Sequence, residues 1–364
     1  MAANPAQVPL KPKVLVITTY EYGVLGQSGS SGEAFHWYTN DKLTNFLNIP
    51  GTYPGGFDTA TPAGSYEGIF YNDTGDECLI VTGMGQNNAG ASLLALGFSD
   101  LVNLSETYLI VAGIAGGNPN HTTLGSVAWA NWAVAGDLAN LVPMSELPAD
   151  TFLYPLFHLG CSTPWPTAAS GNQGFTTGTE IFSLNQSLAK LAHAISQDAE
   201  LGQQNASVKA YAGNYDQPAA AGPPAVLRGD SLASNFFFHG NQLGQWAEWW
   251  MRQWISDWIA GNTGEFQPGL YAMTVMEDIA FASAAQRLAQ AGRIDYDRLM
   301  MLRGAGNFDR PYPGEFTIAS LQESDAVEIA FDLALDNLYA AGSLVVKEII
   351  TSWEDWKDGL PTGS

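Results

Sequence analysis

The stretch "LYAMTVMEDIAFASAAQ" (residues 270–286) places an apolar run directly against two acids and then a helix-like pattern. Leu270 to Val275 has the character of a buried strand, and from Ile279 the apolar positions recur at helical spacing. A buried strand running straight into a helix is the unit of an α/β sheet covered on both faces. Glu277 and Asp278 stand side by side at that junction. Helix capping accounts for them in one way, because acids in a first turn face the positive end of the helix. A ligand contact accounts for them in another, because open α/β sheets bind ligands outside the carboxyl ends of their strands.

The same pattern recurs along the chain. "KVLVITT" (13–19), "ECLIVTGMG" (77–85), "TYLIVAGIAGG" (107–117), "AVLRGDS" (225–231) and "RLMMLRGAGN" (298–307) each contain an apolar strand-like run, and "LGSVAWANWAVAGD" (124–137) is β-rich. "NNAGASLLALGFSDLV" (87–102) and "EIFSLNQSLAKLAHAIS" (180–196) read as helices. A C-terminal helix is expected from about Ser324, with Ser320 and Glu323 at capping-box spacing just before it. Five turns, "TGMGQNNAG", "AGIAGGNP", "RGDS", "MED" and "RGAGNFDRP", follow apolar runs and are expected to converge on one pocket. Residues 1–12 read as an N-terminal extension. Residues 13–364 read as one α/β domain with loop insertions near 50–65 and 160–178.

Composition sets bounds. The 364 residues are 46% hydrophobic, ample for a large core. A net charge of −22 disfavours nucleic acid and anionic membranes as partners. No stretch reaches the ~18–20 apolar residues that span a bilayer. The richest, "WAEWWMRQWISDWIAG" (246–261), is broken by Glu248, Arg252 and Asp257. Its tryptophans recur at helical spacing, which puts an amphipathic helix on a core or a subunit interface. Cys78 and Cys161 are either one disulfide or two buried thiols. No Cys/His cluster suggests zinc, and no metal or cofactor is expected. The opening "MAANPAQVPLKPK" has no apolar signal core but resembles the start of a mature exported protein, so a periplasmic or secreted location is expected.

Single motifs leave alternatives open. "GIAGG" (113–117) lets backbone N–H groups approach a ligand, or simply makes a tight turn. Asp230 in "RGDS" caps a helix or lines the pocket. His239 in "FFFHGN" reaches the site or is a satisfied, partly buried histidine.

Taken in order, "IVTGMGQNNAGASLLAL", "TYLIVAGIAGGNPNHTTLGSVAWA", "GTEIFSLN", "RGDS", "FFFHG", "TVMEDIAFASAA" and "LMMLRGAGNFDRPYPG" resemble the purine nucleoside permease family, over Lys13 to Gly314. That family is similar in turn to the nucleoside phosphorylase and nucleosidase superfamily. The resemblance implies a mixed, distorted sheet flanked by helices, a homo-oligomer, and cleavage of the N-glycosidic bond of a purine nucleoside substrate. It implies Met276 under the ribose and Glu277 on its hydroxyls. Asn307 is implied at purine N7, and Gly113, Ala115 and Gly116 along the nucleoside. Asp230 matches a Gly-Asp turn, and Phe175 or Phe182 is the candidate stacking aromatic.

Breaking this bond builds positive charge on the sugar and negative charge on the base. A carboxylate can hold ribose hydroxyls by charge-assisted hydrogen bonds, and a donor at N7 stabilises the leaving base. Asn307 offers an N–H but cannot give up a proton. Asp309 is either a substitute acid or a salt-bridge partner of Arg310. Superfamily phosphorylases use arginines near the first strand and the middle glycine turns. Here no arginine precedes Arg228, and Lys42 is the one lysine between Lys13 and Lys190. Water is therefore the expected nucleophile, with Glu21 and Glu33 as the acids that position it or as ordinary surface groups. Hydrolysis to base and ribose is the expected activity. Phosphorolysis, and nucleoside binding for an uptake system, are the alternatives.

Overall fold

Fourteen strands occur among the described residues, which in this computed structural model are 8–27, 31–55, 62–147, 156–166, 174–322 and 330–361. They are β1 (Val14–Thr18), β2 (Asn45–Asn48), β3 (Gly68–Tyr71), β4 (Glu77–Val81), β5 (Tyr108–Gly117), β6 (Val127–Trp129) and β7 (Trp132–Ala135). After them come β8 (Asn140–Leu141), β9 (Leu156–Phe157), β10 (Ile181–Ser183), β11 (Val226–Arg228), β12 (Asp230–Ala233), β13 (Tyr271–Val275) and β14 (Leu299–Phe308).

Twelve of them form one sheet, in the order β10-β7-β12-β13-β5-β1-β4-β3-β2. Off that path β14 pairs with β5 and β6, and β11 pairs with β6. β1 runs parallel to β4 and β5, and β12 runs parallel to β7 and β13. The two parallel blocks meet where β13 pairs antiparallel with the end of β5. The sheet is therefore mixed, with helices on both faces.

Alternation along the strands sends side chains to two cores. Leu15 and Ile17 of β1 join Ile80 and Val111 against Leu93 of helix Gln86–Phe98 and Phe281 of helix Asp278–Gln290. Val14 and Val16 point the other way, to Trp37 and to Leu338 and Val345 of the C-terminal helix Phe331–Thr351. The tryptophan helix, Asn241–Gly261, lies on the sheet: Trp246 and Trp250 are fully buried with Trp132, and Trp250 Nε1 donates to Ala135 O at 2.8 Å. That is the core placement of the two considered.

Some expectations change. Residues 180–196 are not one helix. Ile181–Ser183 pairs antiparallel with β7, and the helix begins at Gln186. Asn185 forces that start, because its side chain caps the helix by accepting from Leu188 N. Glu323 and the beginning expected for the C-terminal helix lie outside the described residues. So do 56–61 and 167–173 of the two loop insertions. Cys78 and Cys161 are free, buried thiols. Leu10, assigned to the N-terminal extension, forms a parallel bridge with Val102. Among the described residues no helix is long and apolar enough to cross a membrane.

Candidate active site

A cleft of about 650 Å³ opens where β1, β5, β13 and β14 end. Four of the five turns contribute to it or to its rim: Met84 from the first, Ile114 to Gly116 from the second, Met276 and Glu277 from the fourth, Asn307 from the last. The segment just after β1 adds Thr19 and Tyr20, and the loop beyond it adds Glu33. Asn307 is turned into the cleft by an irregularity in β14, where the register with β5 shifts between Ala305 and Asn307. Bulges of this kind re-aim side chains beside functional sites.

Asp278 lies in the first turn of its helix, as the capping reading has it, but neither acid's side chain makes a cap hydrogen bond there. Glu277 stands at the N-cap position of helix Asp278–Gln290 but makes no side-chain cap bond. Its Oε1 accepts from Gly85 N at 3.0 Å, and its Oε2 from Arg303 Nη2 at 3.3 Å. Asp278 is fully buried. Its Oδ1 accepts from Arg303 Nε at 3.0 Å and Nη2 at 2.6 Å, and its Oδ2 from Ser231 Oγ at 2.6 Å. Glu33 completes the group. One oxygen accepts from Thr19 N, Thr19 Oγ1 and Tyr20 N, and the other from Ile114 N.

Gly113 is what lets these groups meet. A methyl at its Cα would overlap the Arg303 guanidinium and lie 2.8 Å from Glu33 Oε1. So Gly113 supports the floor by its missing side chain and does not line the cleft, whereas Ala115 and Gly116 do.

Three buried carboxyl groups thus surround one guanidinium. Burial pushes the Glu277 carboxyl up to about 7, and Glu33 and Asp278 add to the rise, against Arg303 and the Gly85 N–H. Desolvation disfavours the charged form of an acid, and like charges nearby do the same.

The other sequence candidates sit elsewhere. Glu21 is not on the cleft wall: its carboxylate accepts from Gly32 N and Ala34 N and ties down the loop that carries Glu33. Asp309 is locked by Arg310 Nε at 2.7 Å, Arg310 Nη2 at 2.9 Å and the Tyr271 hydroxyl at 2.8 Å. It is the salt-bridge partner and does not face the cleft. Asp230 neither caps a helix nor faces the cleft: it accepts from Asn131 N, Trp132 N and Leu270 N, and burial pushes it to about 6. His239 Nε2 meets Ser320 Oγ at 3.0 Å beside a small adjoining cavity that shares Asn307 and Phe237 with the cleft. Phe182 is buried in the core, and Phe175 is exposed away from the cleft.

The aromatics that do line it are Tyr20, Tyr22, Phe236, Phe237, Phe238 and Phe331. Phe236 and Phe237 are each more than half exposed at its mouth. Their signal was the triple phenylalanine after an apolar run. Arg303 was signalled only as a single cation inside "LMMLRGAGN". All 14 lysines and arginines lie among the described residues, and none lines the cleft. Among the described residues no three His, Cys, Asp or Glu side chains gather as metal ligands.

The family described as purine nucleoside permease matches residues 11–361. A purine nucleoside permease of Candida albicans is 31% identical over 347 residues, covering 94% of this chain and 76% of that protein. A probable purine nucleoside permease of Schizosaccharomyces pombe is 28% identical over 369 residues, covering 98% and 96%. Among solved structures, a 5′-methylthioadenosine/S-adenosylhomocysteine nucleosidase from Neisseria meningitidis gives a TM-score of 0.48 at 13% identity, covering 93% of this chain and 99% of that one. That structural likeness is too distant to speak to chemistry. The sequence match runs nearly end to end, through the turns that build the cleft, and the chain belongs to the purine nucleoside permease family.

Proposed function

We propose that this protein hydrolyses the N-glycosidic bond of purine ribonucleosides to free base and ribose. The observation that carries the proposal is Glu277, a buried carboxyl on the cleft wall held, among the described residues, by one backbone N–H and one long contact to Arg303. Such a group has acceptor capacity left for two adjacent ribose hydroxyls. As the bond breaks, positive charge grows on the sugar. The acids Glu277 and Glu33 then stand where that charge develops and stabilise it electrostatically. Glu33 has its carboxylate plane fixed by four donors and takes the role of orienting water toward C1′. Asn307 offers its amide to the departing purine.

Water is preferred over phosphate because the cleft lining has no lysine or arginine. Arg303, the cation beneath it, is taken up by Asp278, Glu277 and Ile114 O. Added phosphate is expected to change the rate of base release less than about twofold, on the order of 0.4 kcal/mol in barrier. Strict phosphate dependence, with ribose 1-phosphate as product, would overturn the hydrolase assignment.

The base follows from Asn307. Its Nδ2 donates to Phe308 O at 2.9 Å, and an amide has no proton to hand to N7. Asp309, the substitute acid the sequence offers, is locked to Arg310 and does not face the cleft. A 6-oxopurine leaves more readily as an anion, so inosine and guanosine are expected to be preferred over adenosine. A mispaired polar group costs roughly 1–3 kcal/mol, or about tenfold and more in kcat/KM. Asn307→Asp should move the balance toward adenosine. Equal or better use of adenosine by the parent would sink this assignment.

The relatives' name favours a second reading, nucleoside binding in an uptake system. Incubation with inosine, guanosine and adenosine, with and without phosphate, separates the two. Free base without phosphate supports the hydrolase; tight binding without turnover supports the binding protein.

A further inference from the structure

Asp278 lies in the first turn of its helix but makes no cap hydrogen bond with its side chain. It does not line the cleft, and it reaches two different strands: Ser231 Oγ on β12 and Arg303 on β14. Arg303 has two neighbouring acids to pair with, and the geometry divides them unequally. Asp278 takes Nε at 3.0 Å and Nη2 at 2.6 Å, while Glu277 is left with Nη2 at 3.3 Å. Charge-assisted bonds are at full strength near 2.7–2.9 Å and weaken beyond. The Ser231 hydroxyl fixes the other Asp278 oxygen, so the carboxylate cannot swing away from this arrangement.

We propose that Asp278 is a positioning residue, which draws the Arg303 guanidinium to itself and leaves Glu277 facing the cleft with its charge only partly balanced. The inference rests on the reading of Glu277 as the ribose-binding carboxyl. Every element packed around Glu277 bears on it: Arg303 from β14, Asp278 from its own helix, Glu33 from the loop before helix Phe35–Asn40, and the Gly85 N–H at the head of helix Gln86–Phe98. Burial is the first reason that Glu277 holds a proton to about 7, and the charges of Glu33 and Asp278, set against a single guanidinium, add to it. Undivided pairing with Arg303 would stabilise its charged form and pull the midpoint down. Asp278 therefore sets the pH at which Glu277 takes up the negative charge that holds ribose hydroxyls.

The test follows the Glu277 carboxyl carbon by NMR in protein labelled at glutamate carboxyls, with the resonance assigned by its loss in Glu277→Gln. In the parent the midpoint is expected at about 7. Asp278→Asn frees Arg303 for Glu277, and the midpoint should fall by about one pH unit or more, a tenfold change in proton affinity. Asp278→Glu should hold it near the parent value. A folded Asp278→Asn protein with an unmoved midpoint overturns the proposal. If Asp278→Asn does not fold, Arg303→Lys decides: its single ammonium should stay with the nearer Asp278 and raise the midpoint, and an unchanged or lowered midpoint overturns the proposal. The pH profile of kcat/KM for inosine should shift its acid limb in step. Absence of base release alongside the expected NMR shifts would remove the hydrolase reading and leave the Asp278 assignment standing.

Discussion

Glu277→Gln is expected to lower kcat/KM for inosine by two or more orders of magnitude, roughly 3 kcal/mol of transition-state stabilisation. The amide keeps the shape of the side chain and a carbonyl for the Gly85 N–H. It loses the negative charge that holds ribose hydroxyls strongly and that favours a positively charged sugar. The fold should not suffer. Burial raises the folded midpoint of Glu277 from 4.5 to about 7. An unfolded chain therefore releases this proton at lower pH than the native protein does. The stability contributed by the group is complete below about 4.5 and is lost as pH rises through about 7. Glutamine carries no charge at any pH and escapes that loss. Urea unfolding at pH 8 should find the variant at least as stable as the parent. A variant that is destabilised at pH 8, yet keeps full specific activity in its folded fraction, would make Glu277 a structural residue.

Much of the fold was legible because its signals are local. The run 270–286 gave a strand, a junction and a helix, and β13 and helix Asp278–Gln290 occupy those places. Strand order was not legible. The pairing of β14 with β5, and the antiparallel contact of β13 with β5, join segments more than 150 residues apart, and no local pattern in either segment names the other. Ile181–Ser183 was hidden because three residues are too few to show a period of two, and a capped helix begins just beyond them.

The same division runs through the site. Glu277, Asn307 and Gly116 were visible as residues at strand ends, and all three line the cleft. Asp230 carries the same signal and belongs elsewhere. Its carboxylate turns to the backbone corner at Asn131 and Trp132, which lies about a hundred positions earlier in the chain. No local pattern announces such a partner. Phe175 and Phe182 were the candidates for a stacking aromatic and neither lines the cleft, whereas Phe236 and Phe237 do. Arg303 was the hardest to see. An arginine in an apolar strand reads as an exception until its partner Asp278, 25 positions away, and the bare Cα of Gly113 are brought beside it.

Arg303→Met is expected to cost about 3–5 kcal/mol of stability at pH 8, because it removes one member of a buried ionic group and leaves two carboxylates unpaired. Methionine is chosen because an unbranched apolar chain fills most of the space without adding a polar atom. The pH dependence separates charge from packing. Without the guanidinium, the charged form of Glu277 loses its main support, and its folded midpoint rises further. An acid whose folded midpoint is raised contributes stability at low pH that disappears as pH climbs through that midpoint. The penalty of Arg303→Met should therefore shrink toward pH 5 and grow toward pH 8. Asp278→Asn in the same chain should recover a large part of it, since the double variant buries one charge fewer. Urea unfolding of the four proteins of this cycle at both pH values measures all of this. A penalty that is the same at pH 5 and pH 8, and that Asp278→Asn does not relieve, would mean that Arg303 serves by volume alone, and the ionic account of the cleft floor would fall with it.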